Sequence, residues 1–378
     1  MSDARFLQIH SLHGYSAVLL NRDDSGLAKR ITYGDAIRTR ISSQCLKRHW
    51  RVADSAYALQ RIDGATASVR SRETVTKRVI GPLEGAGHDS DAIKAISTAF
   101  QIAVYGEKGD KRSNRQPLLL GEPEIAYLAE ETQKIARDHG NEAKAAGVAA
   151  AEWVKKSKAN MRALRDNCAM PGGIAAALFG RMVTSDVEAN IDAAVHVAHA
   201  STVHAAESES DYFTVVDDLQ RAEEEAGADH IGETELTSGL FYGYVVLDRG
   251  TLLANLGGDA EIAGDVAARL VSLIATVSPG AKLGPTAPYG YASWMLVEAG
   301  DRQPRSLAEA FREPCRPATR TAAEKAAQHL EKVDAAYETG EERRLMSLED
   351  AAMPGSVRLP SLNELARWSG AVVRTGSA

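Results

Sequence analysis

Strand-like segments fall at both ends of this sequence, and alanine-rich, helix-patterned residues fill its middle. Residues 5–12 alternate loosely between apolar and polar side chains, and residues 31–41 are rich in Thr, Ile and Tyr around Gly34. The first predicts a strand and the second a hairpin. Residues 240–247 (LFYGYVVL) predict a further strand, and residues 293–297 a short one. Ser42 or Ser43 is a suitable N-cap for a helix over 44–52. Helices are also predicted over 259–277, capped by Asp259, over 318–337 and over 362–368. Residues 54–185 read as mostly helical, interrupted by a polar loop at 106–116 and a Pro-Gly-Gly break at Pro171. Residues 187–203 fit helix or strand. Strands at the two ends must meet in one sheet to bury their apolar faces. The expected fold class is therefore α+β, one core with a helical insertion rather than two beads on a string.

Composition removes several classes. Apolar residues make up 44% and charged residues 25%, which excludes a chain disordered throughout and a collagen-like repeat. No apolar run approaches the ~18 residues of a membrane-spanning helix, so no membrane partner is expected. The start lacks a basic stretch followed by an apolar one, so no secretory leader is expected. Cys45, Cys168 and Cys315 are far apart and form no CxxC, which fits a reducing, cytoplasmic compartment. The phosphate-loop, nucleophile-elbow, zinc-protease and dinucleotide motifs are all absent, so neither an enzyme nor a cofactor is expected.

The net charge of −7 hides a strong asymmetry. Residues 22–78 hold 13 Lys and Arg against 6 acids, and residues 134–165 hold 8 against 3. Residues 207–235 hold 11 acids and the single base Arg221, and read as an extended excursion. A phosphate-bearing partner would use the basic zones. The acidic zone reads as a solvated loop or as a surface that meets the basic zone of a second copy.

The most informative segment is Arg38-Thr-Arg-Ile-Ser-Ser-Gln-Cys-Leu-Lys-Arg-His-Trp-Arg51, with five basic residues and no acid. On a helix begun at Ser42, Lys47 and Arg51 share one face, while Leu46 and Trp50 form an adjoining apolar face. Free N–H groups at the helix start, two serine hydroxyls and the cations make a phosphate cradle; the plainer reading is a solvated surface helix. Met182 and Phe213 read as core residues by type. His196, His199 and His204 could bring two metal ligands to one helical face, but read better as ordinary histidines. Asp217, Asp218 and Glu223 to Glu225 could be read as carboxylates for phosphodiester cleavage, although consecutive loop residues seldom converge.

Taken in order, several stretches are similar to the repeated backbone subunit of the type I-E CRISPR surveillance complex Cascade, the CasC family. They are Leu20-Asn-Arg-Asp-Asp24, Arg40-Ile-Ser-Ser-Gln-Cys-Leu-Lys-Arg48, Gly180-Arg-Met-Val-Thr-Ser185, His199-Ala, Asp211-Tyr-Phe-Thr-Val-Val-Asp-Asp-Leu-Gln220, His230-Ile-Gly, Ser238-Gly-Leu-Phe-Tyr242 and Pro279-Gly-Ala-Lys282. Residues 60–160 and about the last 60 resemble the family much less closely.

The resemblance implies a modified RNA-recognition-motif (ferredoxin-like) palm over 1–60, 186–206 and 237–378, helical fingers over 61–185 and a thumb over 207–236. It implies a non-catalytic scaffold that polymerises head to tail along a CRISPR guide RNA (crRNA) and presents it for pairing with target DNA. Expected partners are crRNA, target DNA, neighbouring copies in a six-membered filament, and Cascade subunits of the CasA, CasB, CasD and CasE types. Carried over position by position, Arg22, Lys29, Arg40, Ser42, Gln44, Lys47, Arg48, Arg51, Arg181, Met182, Thr184 and Phe213 would hold the guide. Met182 and Phe213 would sandwich it, reversing the core reading of both. Lys155, Lys156 and Lys158 would steer target DNA. Cys45 stands where the family would lead one to expect serine. Two alternatives are a metal-dependent RNA-cleaving subunit using Asp23 or the thumb acids, and a free-standing RNA-recognition protein, which would need an aromatic strand motif this chain lacks.

Overall fold

The computed structural model describes residues 3–166, 168, 170–183, 186–215 and 230–377. In chain order the strands are β1 (Phe6–Val18), β2 (Arg30–Tyr33), β3 (Ala36–Ile41), β4 (Ser68–Ser71), β5 (Leu118–Gly121), β6 (Val195–Val197), β7 (Ala200–Thr202), β8 (Glu207–Val215), β9 (His230–Asp248), β10 (Ala292–Gly300), β11 (Glu342–Ser347) and β12 (Ser356–Arg358). The helices are α1 (Ser43–Val52), α2 (Ser90–Tyr105), α3 (Glu122–His139), α4 (Ala143–Asp166), α5 (Gly173–Phe179), α6 (Arg249–Asn255), α7 (Ala260–Thr276), α8 (Leu283–Thr286), α9 (Thr319–Tyr337) and α10 (Leu362–Thr375). The architecture is α+β, divided into two compact units.

The first unit comprises Met1–Ala58, His196–Leu247 and Val266–Ala378. Its sheet runs β12-β11-β10-β1-β9-β7-β3-β2, mostly antiparallel, with β8 pairing β9 off that path. Strands from the two ends of the chain are thus neighbours: β1 lies between β10 and β9. The apolar core on this sheet joins Leu12, Trp294, Leu296 and Leu345 to Leu307, Phe311 and the small-residue face of α9 (Ala322, Ala323, Ala326, Leu330).

A polar cluster crosses the same sheet. Glu298 on β10 lies opposite Gln8 on β1 and Arg343 on β11, and has no exposed surface. Arg305 grips its carboxylate with two bonds (2.6 and 2.8 Å), Arg343 Nε donates at 2.6 Å, and His10 Nε2 lies at 3.0 Å. The Glu298 carboxylate can only accept, so the proton of the neutral imidazole sits on Nε2, and His10 Nδ1 accepts from the Tyr242 hydroxyl, which itself accepts from Leu307 N–H. Arg343 also bonds both oxygens of Asp334 on α9. Burial pushes the His10 pKa below its ordinary value, while His10 and Arg305 hold Glu298 well below the carboxylate range against its own desolvation.

The second unit comprises Leu59–Val195 and Asp248–Asp265. Its core packs α2, α3 and α4 with a π-helical turn at Val75–Ile80, and Phe100 stacks on Trp153 with ring centroids 4.0 Å apart. A two-stranded sheet, β4 with β5, interrupts the helical middle that the sequence predicts.

Glu298→Gln leaves the buried Arg343 and the half-buried Arg305 short of a counter-charge. It should lower unfolding free energy by about 3–5 kcal/mol, read from the denaturant midpoint. An unchanged midpoint would show that the cluster does not hold the sheet.

Candidate nucleic-acid interface

The basic segment folds as β3, a one-residue cap and α1. The Ser42 hydroxyl accepts from Cys45 N–H (3.3 Å), and its own N–H donates to Asn21 Oδ1 (2.9 Å). Asn21 C=O in turn accepts from Lys29 N–H, and Lys29 C=O from Arg40 N–H. Two backbone links and the Asn21 side chain therefore gather the 21–29 loop, the end of β3 and the start of α1. Leu46 and Cys45 pack on the apolar cluster of Val18, Leu20, Ile41, Ala200 and Phe241, and Trp50 is buried. This is the apolar face expected from the sequence.

The cations stand around that start. Arg40 donates to Arg30 C=O and lies 2.9 Å from His199 Nδ1. Desolvation, then the Arg40 and Lys29 charges, hold His199 below its ordinary pKa. Arg48 and Lys29 stabilise the Cys45 thiolate, although burial dominates and raises that thiol. Lys47 is half-buried and its pKa lowered by desolvation. Among the described residues no carboxylate pairs with Arg22, Lys29, Arg40, Lys47 or Arg48, and α1 has no acid in its first turn. Gln44 and Arg22 are exposed, and Arg51 is half-buried one turn beyond Lys47. Arg30 is different: Glu235 on β9 pairs with it. Arg38 is also removed from any surface role. It is fully buried and donates to the carbonyls of Tyr33, Thr202, Phe311 and Arg312.

Phe213 sits on β8 opposite Gly232 on β9, and its ring covers the space a side chain at 232 would occupy. Lys282 Nζ lies 5.8 Å from the ring centroid, and Phe213 stays 40% exposed. The extended excursion is thus an antiparallel ribbon, with Glu207, Glu209 and Asp211 exposed along β8. Asp217, Asp218 and Glu223 to Glu225 lie outside the described residues.

In the second unit, Met182 follows an isolated bridge between Arg181 and Ile191 and is 81% exposed. It borders a cavity lined by Tyr105, Asn114, Gln116 and Pro117. Arg181 corrects an expectation. Its side chain is 1% exposed, bonded to Glu124 at 2.6 Å and to Ala189 C=O at 2.8 Å. Glu124 also accepts from Gly121 N–H, capping α3. Arg181 therefore ties a helix start to the bridge and offers no guanidinium to a phosphate. Lys155, Lys156 and Lys158 are exposed on α4, off the face that buries Trp153 and Ser157. Thr184 lies outside the described residues. Met182 and Phe213 belong to different units, and each is placed only within its own.

The acids weighed for cleavage have other work where they are described. One oxygen of Asp23 accepts from Ser25 and Leu27 N–H and closes the 23–27 turn. Among the described residues no group of three His, Cys, Asp or Glu side chains is placed to hold a metal. Sequence reasoning missed two contributors. Asn21 positions Ser42 through its side chain, and Lys282 closes over Phe213 although its stretch was among those that carried the resemblance.

These features define an α+β protein with a cation-rich, acid-free helix start on an otherwise acidic chain. It belongs to the CT1975-like protein family (Cas_CT1975), whose model matches residues 7–368. Its fold is similar to a chain of a solved "CRISPR RNA-guided surveillance complex, pre-nicking", with TM-score 0.79 and 24% identity over 97% of this chain and 100% of that one. A chain of a second "CRISPR RNA-guided surveillance complex" gives TM-score 0.59 and 20% identity over 97% and 98%. Nothing among curated proteins matches this chain. No described helix is long and apolar enough to cross a membrane.

Arg181→Met should strand Glu124 in the interior and cost about 3–5 kcal/mol of unfolding free energy, with thermal unfolding as the readout. A variant as stable as the parent would return Arg181 to the list of binding candidates.

Proposed function

We propose that this protein is a guide-RNA-holding backbone subunit of a Cascade surveillance complex, of the type I-E kind. One observation carries the reading: five cations around the capped start of α1, Arg22, Lys29, Arg40, Lys47 and Arg48, that no carboxylate among the described residues neutralises. A chain of net charge −7 gains nothing in solubility from such a cluster, and a phosphate backbone satisfies it. The exposed Met182 and Phe213 add apolar surfaces of the sort that wedge or stack without reading base edges. The likeness of its fold to chains of RNA-guided complexes supports the same reading. On it, the first unit is the RNA-recognition-motif-like palm, the second supplies the fingers, the β8–β9 ribbon is the thumb, and Lys155, Lys156 and Lys158 face target DNA. Copies join head to tail, a heterologous contact that repeats openly until the RNA or an end subunit stops it. The scaffold is non-catalytic, and the turn-closing role of Asp23 supports that part.

Lys47→Glu combined with Arg51→Glu should abolish the RNA-dependent multimer seen by light scattering with one repeat–spacer RNA. The neutral pair Lys47→Gln and Arg51→Gln should flatten the salt dependence, by about 0.7 in the log–log slope per lost contact. Normal assembly of the charge-reversed protein would reject the site. Guide RNA should be recovered intact with Mg²⁺; cleavage lost on Asp23→Asn would reject the non-catalytic reading.

His199 supplies a pH test. Desolvation, and then the Arg40 and Lys29 charges, lower its pKa in the free protein, and a bound phosphate would raise it. Binding then takes up a proton, so affinity should rise as pH falls through the bound-state pKa and level off below the free-state one, which lies under the ordinary histidine value. The rise should be lost in His199→Gln; an equal rise in the variant would place the phosphate elsewhere.

A further inference from the structure

Residues 278–292 contain no acid and one cation, Lys282. They carry two tyrosines, Tyr289 and Tyr291, that are 75% and 72% exposed. The backbone between them is fixed. Ser278 Oγ donates to Gly290 C=O (2.9 Å) and accepts from Gly290 N–H (3.0 Å) and from the Tyr15 hydroxyl (3.1 Å). A side chain at 290 would meet Gly14 C=O at 2.9 Å and the Tyr15 ring at 3.0 Å, so only glycine allows this approach. Two large aromatics are thus held in water by a rigid clamp, their Cα atoms at most about 7 Å apart.

The clamp is joined to the RNA cradle. Tyr15 packs on the same apolar cluster that seats Cys45 and Leu46 of α1. Ala281 N–H donates to Leu19 C=O, two residues before Asn21. The tyrosine loop and the cradle are therefore supported by one core, in one unit.

We propose that Tyr289 and Tyr291 form a stacking platform for unpaired bases of the bound RNA, an inference that rests on the RNA-holding reading above. A preorganised aromatic pair loses little conformational entropy on contact, and stacking accepts any base, as a variable guide requires. Charge disfavours the acidic ribbon of another copy as the occupant. Lys282 is the loop's one cation, and it is already engaged with Phe213 and Thr234.

The test compares two labelled single strands of equal length by fluorescence anisotropy on the full chain: an unstructured RNA, and the same backbone with abasic positions. Tyr289→Ala with Tyr291→Ala should bind the RNA at least about tenfold more weakly and the abasic strand as the parent does. Phe at both positions should restore RNA binding. Unchanged RNA binding, or equal loss on both strands, overturns the proposal. So does normal single-copy affinity with loss of RNA-dependent multimers, which would make the tyrosines a contact between copies. A parent protein that ignores both strands rejects the RNA-holding reading itself, and the platform with it. A parent that binds both while the double variant matches it rejects the platform alone.

Discussion

The sheet of the first unit is fixed by one buried carboxylate. Glu298 draws side chains from β1, β11 and the 305 loop to itself, and through Arg343 it reaches Asp334 on α9. Burying charge costs several kcal/mol per ion, so the cluster is tolerable only when every partner is in place. That demand sets register. A one-residue slip of β10 against β1 or β11 would turn Glu298 to the opposite face, leaving Arg343 with Asp334 alone and Arg305 with Glu341 alone. Apolar residues on the same strands pack against almost any neighbour of similar volume and discriminate less. The cluster therefore specifies which strands from the two ends of the chain become neighbours, and the α1 cradle is built on the other end of that same sheet.

The buried and half-buried arginines are answered within the fold. Arg181, Arg305 and Arg343 are each met by a carboxylate, and Arg38 by four carbonyls. Their role is to join elements, and their charge is neutralised or dispersed within the fold. Around the start of α1 the arrangement differs: among the described residues no carboxylate pairs with Arg22, Lys29, Arg40, Lys47 or Arg48, while Glu207, Glu209 and Asp211 stand exposed on β8. The cradle and the ribbon meet at Arg30, which pairs with Glu235 on β9 and donates to Ser208 Oγ on β8, and Glu235 also accepts from Ala28 N–H. The ribbon is thereby anchored at the edge of the cradle.

Much of this was legible in the sequence, and the exceptions have physical causes. The helix after Ser42, the apolar Leu46 and Trp50 face, the β2–β3 hairpin at Gly34 and the helix capped by Asp259 follow local rules of capping and periodicity, and each is present. The sequence does not show β11 or β12, because the buried Arg343 and its neighbour Arg344 imitate a solvated loop; Glu298, 45 residues away, and Asp334, on the preceding helix, are what let Arg343 be buried. Arg181 failed for the complementary reason. Its place within a family-like Gly-Arg-Met turn suggested a surface, while the Glu124 that buries it lies 57 residues away. Pairing between distant charges leaves no periodic trace. Of the candidate site, the cations were legible by type and spacing, but the Asn21 bond that positions the cap was not.

The distribution of charge also constrains how a filament of such subunits would be regulated. On the proposed reading, a chain of net charge −7 would repel RNA at long range, so capture would depend on the local field of the cradle and weaken steeply with salt. Exposed ribbon acids of one copy and cradle cations of another would attract each other, and RNA would compete for those same cations. An assembly held by that attraction alone would be displaced by RNA rather than built on it. A filament that grows only on its guide therefore needs the ribbon to meet something other than the α1 cradle of its neighbour. The exposed Lys155, Lys156 and Lys158 of α4, in the second unit, are one other concentration of positive charge among the described residues.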